Sequence, residues 1–242
     1  APPDGHTLLV TSLSPLVIVP HVSRNLPYDT MKDLAPVALV GWTGMILVAP
    51  VGFPANSVQE LLAYARANPG KLSYASLGTG TISMLTMEVF KQATGMEAMH
   101  VPYKGSAQAM TDLIGGQLSA AFLDLASARA QVQSGKFKVL AITGERRFKL
   151  LPQVPTFAEL GYKDFEPPGW FAVLAPAGTP ADIVAKLSAE INRILKLPDV
   201  AARIDDIGLI SGGNRPDEFA AAMRRDYQVW GKVIKAFGIR ND

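Results

Sequence analysis

The sequence predicts an α/β fold with mainly parallel sheets, on three observations. Short apolar runs alternate with amphipathic helical patterns through the middle of the chain, each run stops in small or hydroxyl residues that open the next helix, and no segment repeats at solenoid spacing. In sheets of this kind ligands bind beyond the carboxyl ends of the strands.

Thr7-Leu-Leu-Val-Thr is a brief apolar run ending in Ser12-Leu-Ser-Pro, which reads as a buried strand feeding a loop. Leu26 to Pro36 is rich in Pro and Asp and reads as irregular. Met45-Ile-Leu-Val-Ala-Pro is a second buried strand, stopped by Pro50 because proline cannot donate to a ladder. Ser57-Val-Gln-Glu60 has capping-box spacing, and Val58, Leu61, Leu62 and Ala65 give one apolar face before Asn68-Pro-Gly ends the helix. Leu72 to Ser76 is the next strand; Ile82, Leu85, Val89 and Phe90 share one side of the helix after it, which Gly95 terminates. Met99 to Pro102 follows as a strand, and Ser106 caps a helix carrying Ala107, Met110, Leu113 and Ile114. Leu118 to Leu123 is a strand ending at Asp124, and Lys138 to Thr143 is another after a short helix.

A Pro-rich connector, Pro152 to Pro168, leads to Trp170-Phe-Ala-Val-Leu-Ala-Pro, which matches Met45 to Pro50 in character. The two Pro-stopped strands read as paired hinge crossings. Thr179-Pro-Ala-Asp caps a helix with Ile183, Leu187, Ile191 and Ile194 on one stripe, and a last helix begins near Pro216. Its Phe219, Met223, Trp230 and Ile234 recur at core spacing.

With 48% hydrophobic and 18% charged residues, the 242-residue chain can bury one substantial core or two modest ones. The net charge of +2 is spread without a basic block, which argues against nucleic acid as a partner. No apolar run reaches the ~18 residues needed to cross a bilayer, so direct membrane insertion is not expected. The absence of cysteine excludes disulfides, thiolate metal sites and cysteine nucleophiles.

The candidate chemistry lies in Tyr74-Ala-Ser-Leu-Gly-Thr-Gly-Thr-Ile-Ser-Met and His100-Val-Pro-Tyr-Lys-Gly-Ser, two strand ends that pass through small residues into a helix. The unpaired amides and partial positive charge of a helix N-terminus suit an anion without any arginine, and two such ends converging suggest a carboxylate-sized pocket. Ser76, Gly78, Thr79, Gly80, Thr81 and Ser83 are therefore candidate ligand residues, although glycine and hydroxyl residues cap a helix equally well with no ligand. The turn is not a P-loop, since no Gly-Lys-Ser/Thr follows, and Ser83 replaces the third glycine of a dinucleotide fingerprint.

Tyr103 and Gly105 join the set through a phenol and a backbone amide, and Lys104 is left open between ligand and solvent. Asp124 is placed to accept from a ligand ammonium or hydroxyl, with helix capping near Ser127 as the stronger alternative. Trp170 is included beside the hinge, against a competing role in packing, and Ser12 and Ser14 are donors from the N-terminal strand end. His6, His21 and His100 lack metal-ligand spacing, and neither a Gly-x-Ser-x-Gly elbow nor paired carboxylates stand out. No catalytic, metal or cofactor residue is predicted.

Tyr74 to Ser83, His100 to Ser106, Ala126-Ser-Ala, Leu151-Pro-Gln-Val-Pro-Thr and Gly169-Trp to Gly178-Thr-Pro, with Pro3-Asp-Gly-His-Thr-Leu-Leu and Asn68-Pro-Gly-Lys-Leu, occur in an order that resembles the TctC or Bug-type periplasmic receptors of tripartite tricarboxylate transporters. The resemblance runs from Ala1 to Asp242. It implies a type II periplasmic binding fold with two lobes, residues 1–46 with 171–242 and residues 47–170, closing over a small carboxylate-bearing ligand and delivering it to membrane transporter subunits. It implies a periplasmic location, the signal peptide not being present in this chain, and a further segment before Pro3 that adds a strand and a Gly-rich loop to the first lobe. Without that segment, weaker binding than in a complete relative is expected.

The expected ligand is a small organic acid or amino acid. The lack of a committed arginine favours a mono- or dicarboxylate over a tricarboxylate, because several negative charges need more than helix ends. An enzyme acting on a small carboxylate, or a sensor feeding a signalling partner, are the alternatives.

Overall fold

The computed structural model describes residues 1–144, 146–162 and 169–239. The connector's residues 163–168 lie outside them. In chain order the elements are β1 (Leu9–Ser12), α1 (Leu13–Val17), α2 (Val19–Val22), α3 (Thr30–Asp33), β2 (Leu34–Thr43), β3 (Met45–Pro50), α4 (Val58–Ala67), β4 (Ser73–Ser76), α5 (Ile82–Thr94) and β5 (Met99–Pro102). They continue with α6 (Ser106–Ile114), β6 (Ala120–Asp124), α7 (Leu125–Gln133), β7 (Phe137–Ile142), β8 (Gly169–Pro176), α8 (Ala181–Leu195), α9 (Pro198–Asp206), β9 (Ile210–Ser211) and α10 (Pro216–Phe237).

The chain divides into two compact units, Ala1–Thr43 with Gly169–Asp242, and Gly44–Pro168. The two Pro-stopped strands fall one in each unit: β3 pairs only within the second and β8 only within the first. The α/β class stands, but the mainly parallel sheets expected from the alternation do not.

In the first unit the strand order is β1-β8-β2-β9, and every pairing is antiparallel. β8 returns from far along the chain to sit between β1 and β2, and no local pattern encodes such a long-range pairing. β2 is a ten-residue strand that begins inside the stretch read as irregular. Its Pro36 is accommodated because the register shifts between Pro36 and Ala38 and again between Leu39 and Gly41, which relieves the ladder where a proline cannot donate. On one face Val37, Ala38, Val173 and Ala175 pack against Val184, Leu187 and Ile191 of α8. Elsewhere in the unit, Phe219, Met223, Trp230 and Ile234 of α10 are buried as their spacing predicted.

Ser12-Leu-Ser-Pro is not a loop: α1 starts at Leu13, since Leu13, Leu16 and Val17 are all buried. Trp170 is 1% exposed, its ring stands edge-on to Phe219 at 5.3 Å, and its Nε1 donates to Asp226 Oδ2 at 2.9 Å. This side chain is core of the first unit, with its single donor already spent. The role beside a ligand is withdrawn.

In the second unit the order is β5-β4-β6-β3-β7. β5, β4 and β6 run parallel, while β3 lies antiparallel between β6 and β7, so the sheet is mixed. Successive residues of each strand face opposite layers. Leu47, Tyr74, Ala120 and Phe122 pack with Val58 and Leu61 of α4 and Met87 and Phe90 of α5. Ile46, Val48, Ala75, Ala121 and Leu123 pack with Met110 and Leu113 of α6 and Leu125 and Ala128 of α7.

Capping differs from the sequence expectation at three helices. Ser57 accepts from Glu60 N at 3.1 Å, but Glu60 reaches back to Asn56 N at 2.7 Å, one residue beyond a capping box. Gly105, not Ser106, is the N-cap of α6, and Pro180 is that of α8, where Thr179 Oγ1 instead donates to Pro176 O at 2.8 Å. Among the described residues no helix is long and apolar enough to cross a membrane, and no group of His, Asp or Glu could hold a metal ion.

Two stability predictions follow from this packing. A Cβ at Gly44 would lie 2.7 Å from Thr143 O and 2.6 Å from Phe148 Cζ, so Gly44→Ala should destabilise by about 1–3 kcal/mol and lower the melting temperature; an unchanged melt refutes the crowding. Burial raises the Asp226 carboxyl pKa above its ordinary value, against the opposing effects of Trp170 and Arg225. A raised folded pKa means that the group's stabilising contribution is present at low pH and is lost as pH rises through that pKa. Asp226→Asn should therefore gain stability relative to the parent chain as pH rises from about 3.5 to 7, judged against the ordinary carboxyl value. A gap in melting temperature that stays constant over that range would show that the carboxyl does not titrate differently on folding.

Candidate functional site

The parallel pairing of β4 with β5 and β6 sets Ser76 opposite Pro102 and Ala75 opposite Ala121, so the three carboxyl ends lie side by side. Tyr103 N extends the ladder by donating to Ser76 O at 2.9 Å. Each strand then gives way to a helix: β4 through Leu77 to Thr81 into α5, β5 through Tyr103 to Gly105 into α6, and β6 directly into α7. Three helix N-termini thus share one edge of one unit, the arrangement in which α/β sheets bind ligands.

The turn after β4 is held by its own side chains. Gly78 has φ 117° and Gly80 φ 76°, where an L side chain is strained. Gly78 N donates to Ser76 Oγ at 3.2 Å, Thr81 Oγ1 donates to Gly78 O at 2.7 Å, and Leu77 N donates to Ser83 Oγ at 3.1 Å. Thr81 Oγ1 and Ser83 Oγ are also 3.0 Å apart. Three of the hydroxyls proposed as ligand donors therefore shape the turn, and Thr79 stays out of these bonds.

The three helix ends differ in how they are capped. Asp124 Oδ1 accepts from Ser127 N at 2.8 Å and its Oδ2 accepts from Ser127 Oγ at 2.7 Å, so α7 is closed by its own side chain and the capping role of Asp124 prevails over the ligand role. The N-cap of α5, Thr81, turns its hydroxyl back into the turn and caps nothing, and the N-cap of α6 is a glycine with no side chain to offer. The N-cap residues of α5 and α6, adjacent at the edge of the sheet, thus supply no side-chain acceptor of their own. The chemistry that suits them is an external acceptor, a carboxylate or another small anion.

Tyr103 is partly exposed, but its phenol donates to Asp112 Oδ2 at 2.8 Å; burial and then Asp112 raise its pKa. Gly105 and Lys104 are exposed beside it. Ser12 and Ser14 belong to the first unit, Ser12 as the extended residue before α1 and Ser14 within that helix, both half-buried.

Beneath the turn lies a polar cluster that the sequence reading missed. His100 Nε2 is 2.6 Å from Ser76 Oγ, and its ring stacks on Tyr74 with centroids 4.9 Å apart. Tyr74 OH donates to Glu88 Oε1 at 2.5 Å, Lys91 Nζ donates to the same carboxylate at 2.9 Å, and Lys91 also lies 5.5 Å from the Tyr74 ring centroid. Burial, then Glu88, drives the Tyr74 phenol far above its usual range, and burial lowers the His100 pKa, with Glu88 opposing. The pair resembles a nucleophile with its base, but Ser76 is only 1% exposed and its hydroxyl is tied into the turn. The only available hint was the cross-strand register Tyr74 to His100, which sequence does not print.

Comparison with known proteins identifies the family. The family model described as the tripartite tricarboxylate transporter family receptor, TctC, matches residues 1–239. A solved periplasmic transporter is 39% identical with a TM-score of 0.92, covering 100% of this chain and 81% of its own. The R. palustris protein Rpa4515, solved with adipate, is 32% identical with a TM-score of 0.92 and covers 99% of this chain and 80% of its own. MatC from Rhodopseudomonas palustris, solved with bound malate, is 30% identical with a TM-score of 0.85 and covers 97% and 81%. With a family match running almost from end to end and the α/β two-lobe fold of periplasmic binding proteins, the chain belongs to the TctC family of tripartite tricarboxylate transporter receptors.

Proposed function

We propose that this chain is an extracytoplasmic receptor that binds a small mono- or dicarboxylate and delivers it to a tripartite tricarboxylate-type membrane transporter in the periplasm. The observation that carries the reading is the pair of neighbouring helix ends, α5 and α6, whose N-caps supply no side-chain acceptor while the adjacent α7 is capped by Asp124. A ligand carboxylate would take the place of the missing cap. Adipate and malate, bound by two similar proteins, are both dicarboxylates and support the ligand class.

The residues assigned to the ligand are the turn Gly78, Thr79, Gly80 and Thr81, with Tyr103 and Gly105 from the neighbouring strand end. Ser76 and Ser83 hold that turn in shape. Backbone amides solvate one carboxylate without a formal countercharge, so the rest of the ligand is selected by pocket shape and a few side chains.

A thermal-shift panel of organic acids and amino acids tests the assignment. A dicarboxylate at about 100 times its Kd should stabilise the chain by about 2.7 kcal/mol, a rise of several degrees. Gly80→Val, which strains a residue with φ 76°, should weaken that ligand at least about tenfold, given that each 1.4 kcal/mol is one decade. A cooperative melt that no acid shifts, or a Gly80→Val chain that binds like the parent, would refute the reading.

A further inference from the structure

Ser76 carries one hydroxyl proton and has three neighbours: Gly78 N at 3.2 Å, Gly78 O at 3.3 Å and His100 Nε2 at 2.6 Å. Its oxygen accepts from Gly78 N whatever the proton does. The proton itself has two destinations. With a neutral imidazole protonated at Nδ1, Ser76 donates to His100 Nε2. With an imidazolium, Nε2 carries a proton and must donate to Ser76 Oγ, so the hydroxyl is turned to Gly78 O. In that Nδ1–H tautomer the charge state of His100 is transmitted through one hydroxyl to the residue at φ 117° that begins the glycine turn.

We propose that His100 is a positioning residue for the candidate anion site: acting through Ser76 it sets the hydrogen bonding of the Gly78 turn, and when protonated it adds a positive charge behind that turn that tightens carboxylate binding. The inference rests on the carboxylate reading above and adds to it a residue that never needs to touch the ligand. His100 lies on the edge strand β5, half-buried, directly opposite Tyr74. Among the described residues, the titratable and charged groups facing it are Tyr74 from β4 and Glu88 and Lys91 from α5. These are already engaged with one another, since Glu88 accepts from both the Tyr74 phenol and Lys91. Glu88 and Lys91 push the imidazole in opposite directions, and burial is the largest effect, favouring the neutral ring. A bound anion would oppose burial by favouring the imidazolium, and reciprocity then requires that protonation favour the anion. Burial lowers the ring's pKa, so without ligand it is neutral at pH 7 and is charged only as the solution is made more acidic.

The test has one arm without ligand and one with it. In the free protein, the Gly78 amide resonance should titrate with the same midpoint as the His100 ring, and Ser76→Ala should abolish that coupling while the ring still titrates. Malate and adipate are then titrated calorimetrically below the His100 midpoint found in the first arm and at pH 8.0, into the parent chain and into His100→Gln, whose amide can still donate to Ser76 but cannot charge. The parent should bind about three- to tenfold tighter at the lower pH once protonation of the acid itself is subtracted, as a unit charge several ångströms away at intermediate dielectric would give, and His100→Gln should lose that difference.

A Gly78 amide that ignores the His100 titration overturns the hydroxyl relay whatever the ligand does. Equal pH ratios in the parent and His100→Gln overturn the effect on affinity. Absence of binding by either acid at either pH overturns the carboxylate reading, and the affinity claim with it, while the Gly78 result still decides the relay. Far-ultraviolet circular dichroism of both variants guards against a folding defect.

Discussion

The candidate site depends on one constraint, the parallel pairing of β4 with β5 and β6. Parallel strands end together, so whatever follows each strand is delivered to the same edge of the sheet. Had β4 and β5 paired antiparallel, the glycine turn and the Tyr103 to Gly105 segment would lie at opposite ends of the unit. β3, which runs the other way between β6 and β7, contributes no helix N-terminus to that edge; it contributes the buried Ile46, Leu47 and Val48 that let the sheet pack on both faces.

Given that edge, the capping chemistry distinguishes the three helix ends. A helix end without an acceptor costs stability unless water or a ligand supplies one. α7 meets the demand with Asp124, a strand-ending carboxylate that folds over its own helix. In α5 the hydroxyl in the N-cap position is drawn instead into the bonds that hold Gly78 and Ser83, so the residue that makes the turn rigid gives its helix no side-chain cap. A rigid turn and an N-cap hydroxyl that does not cap thus have one cause. That combination suits a receptor, because an anion can bind without ordering a loop first.

The sequence made local features readable and long-range ones obscure. The strand, glycine turn and helix from Ser73 to Thr94 were legible because each boundary has a local cause: apolar alternation, φ values open to glycine, and the left-handed Gly95 that ends α5. β2 was not, since Pro36 disguised a strand whose bulges absorb it, and the antiparallel first sheet was not, since β8 joins β1 and β2 from more than a hundred residues away. At the site, Gly78, Gly80 and the capping role of Asp124 could be read from residue type, whereas Trp170 could not be assigned until Asp226 took its only donor. His100 was discounted as a solitary histidine, and its proximity to Ser76 arises from the register of two strands joined through a whole helix.

Recognition by amides alone has a consequence for selectivity. On the proposed reading, backbone donors at two helix ends would hold one carboxylate but see little of the molecule behind it, and among the described residues no basic side chain hydrogen-bonds within the turn to demand a second charge. Charge is nonetheless present one layer down, in Glu88, Lys91 and the titratable His100, and its net sign changes with the imidazole. With Glu88 and Lys91 paired and the ring neutral, this layer offers the turn no net charge; with the ring protonated it offers one positive charge. A helix end contributes only about half an elementary charge, so one unit arriving behind it changes the local field by more than the helix itself supplies. Under the proposed linkage, the physical lever for ligand affinity in this unit would lie beneath the turn, in a residue pair set by sheet register, while the turn itself sets geometry.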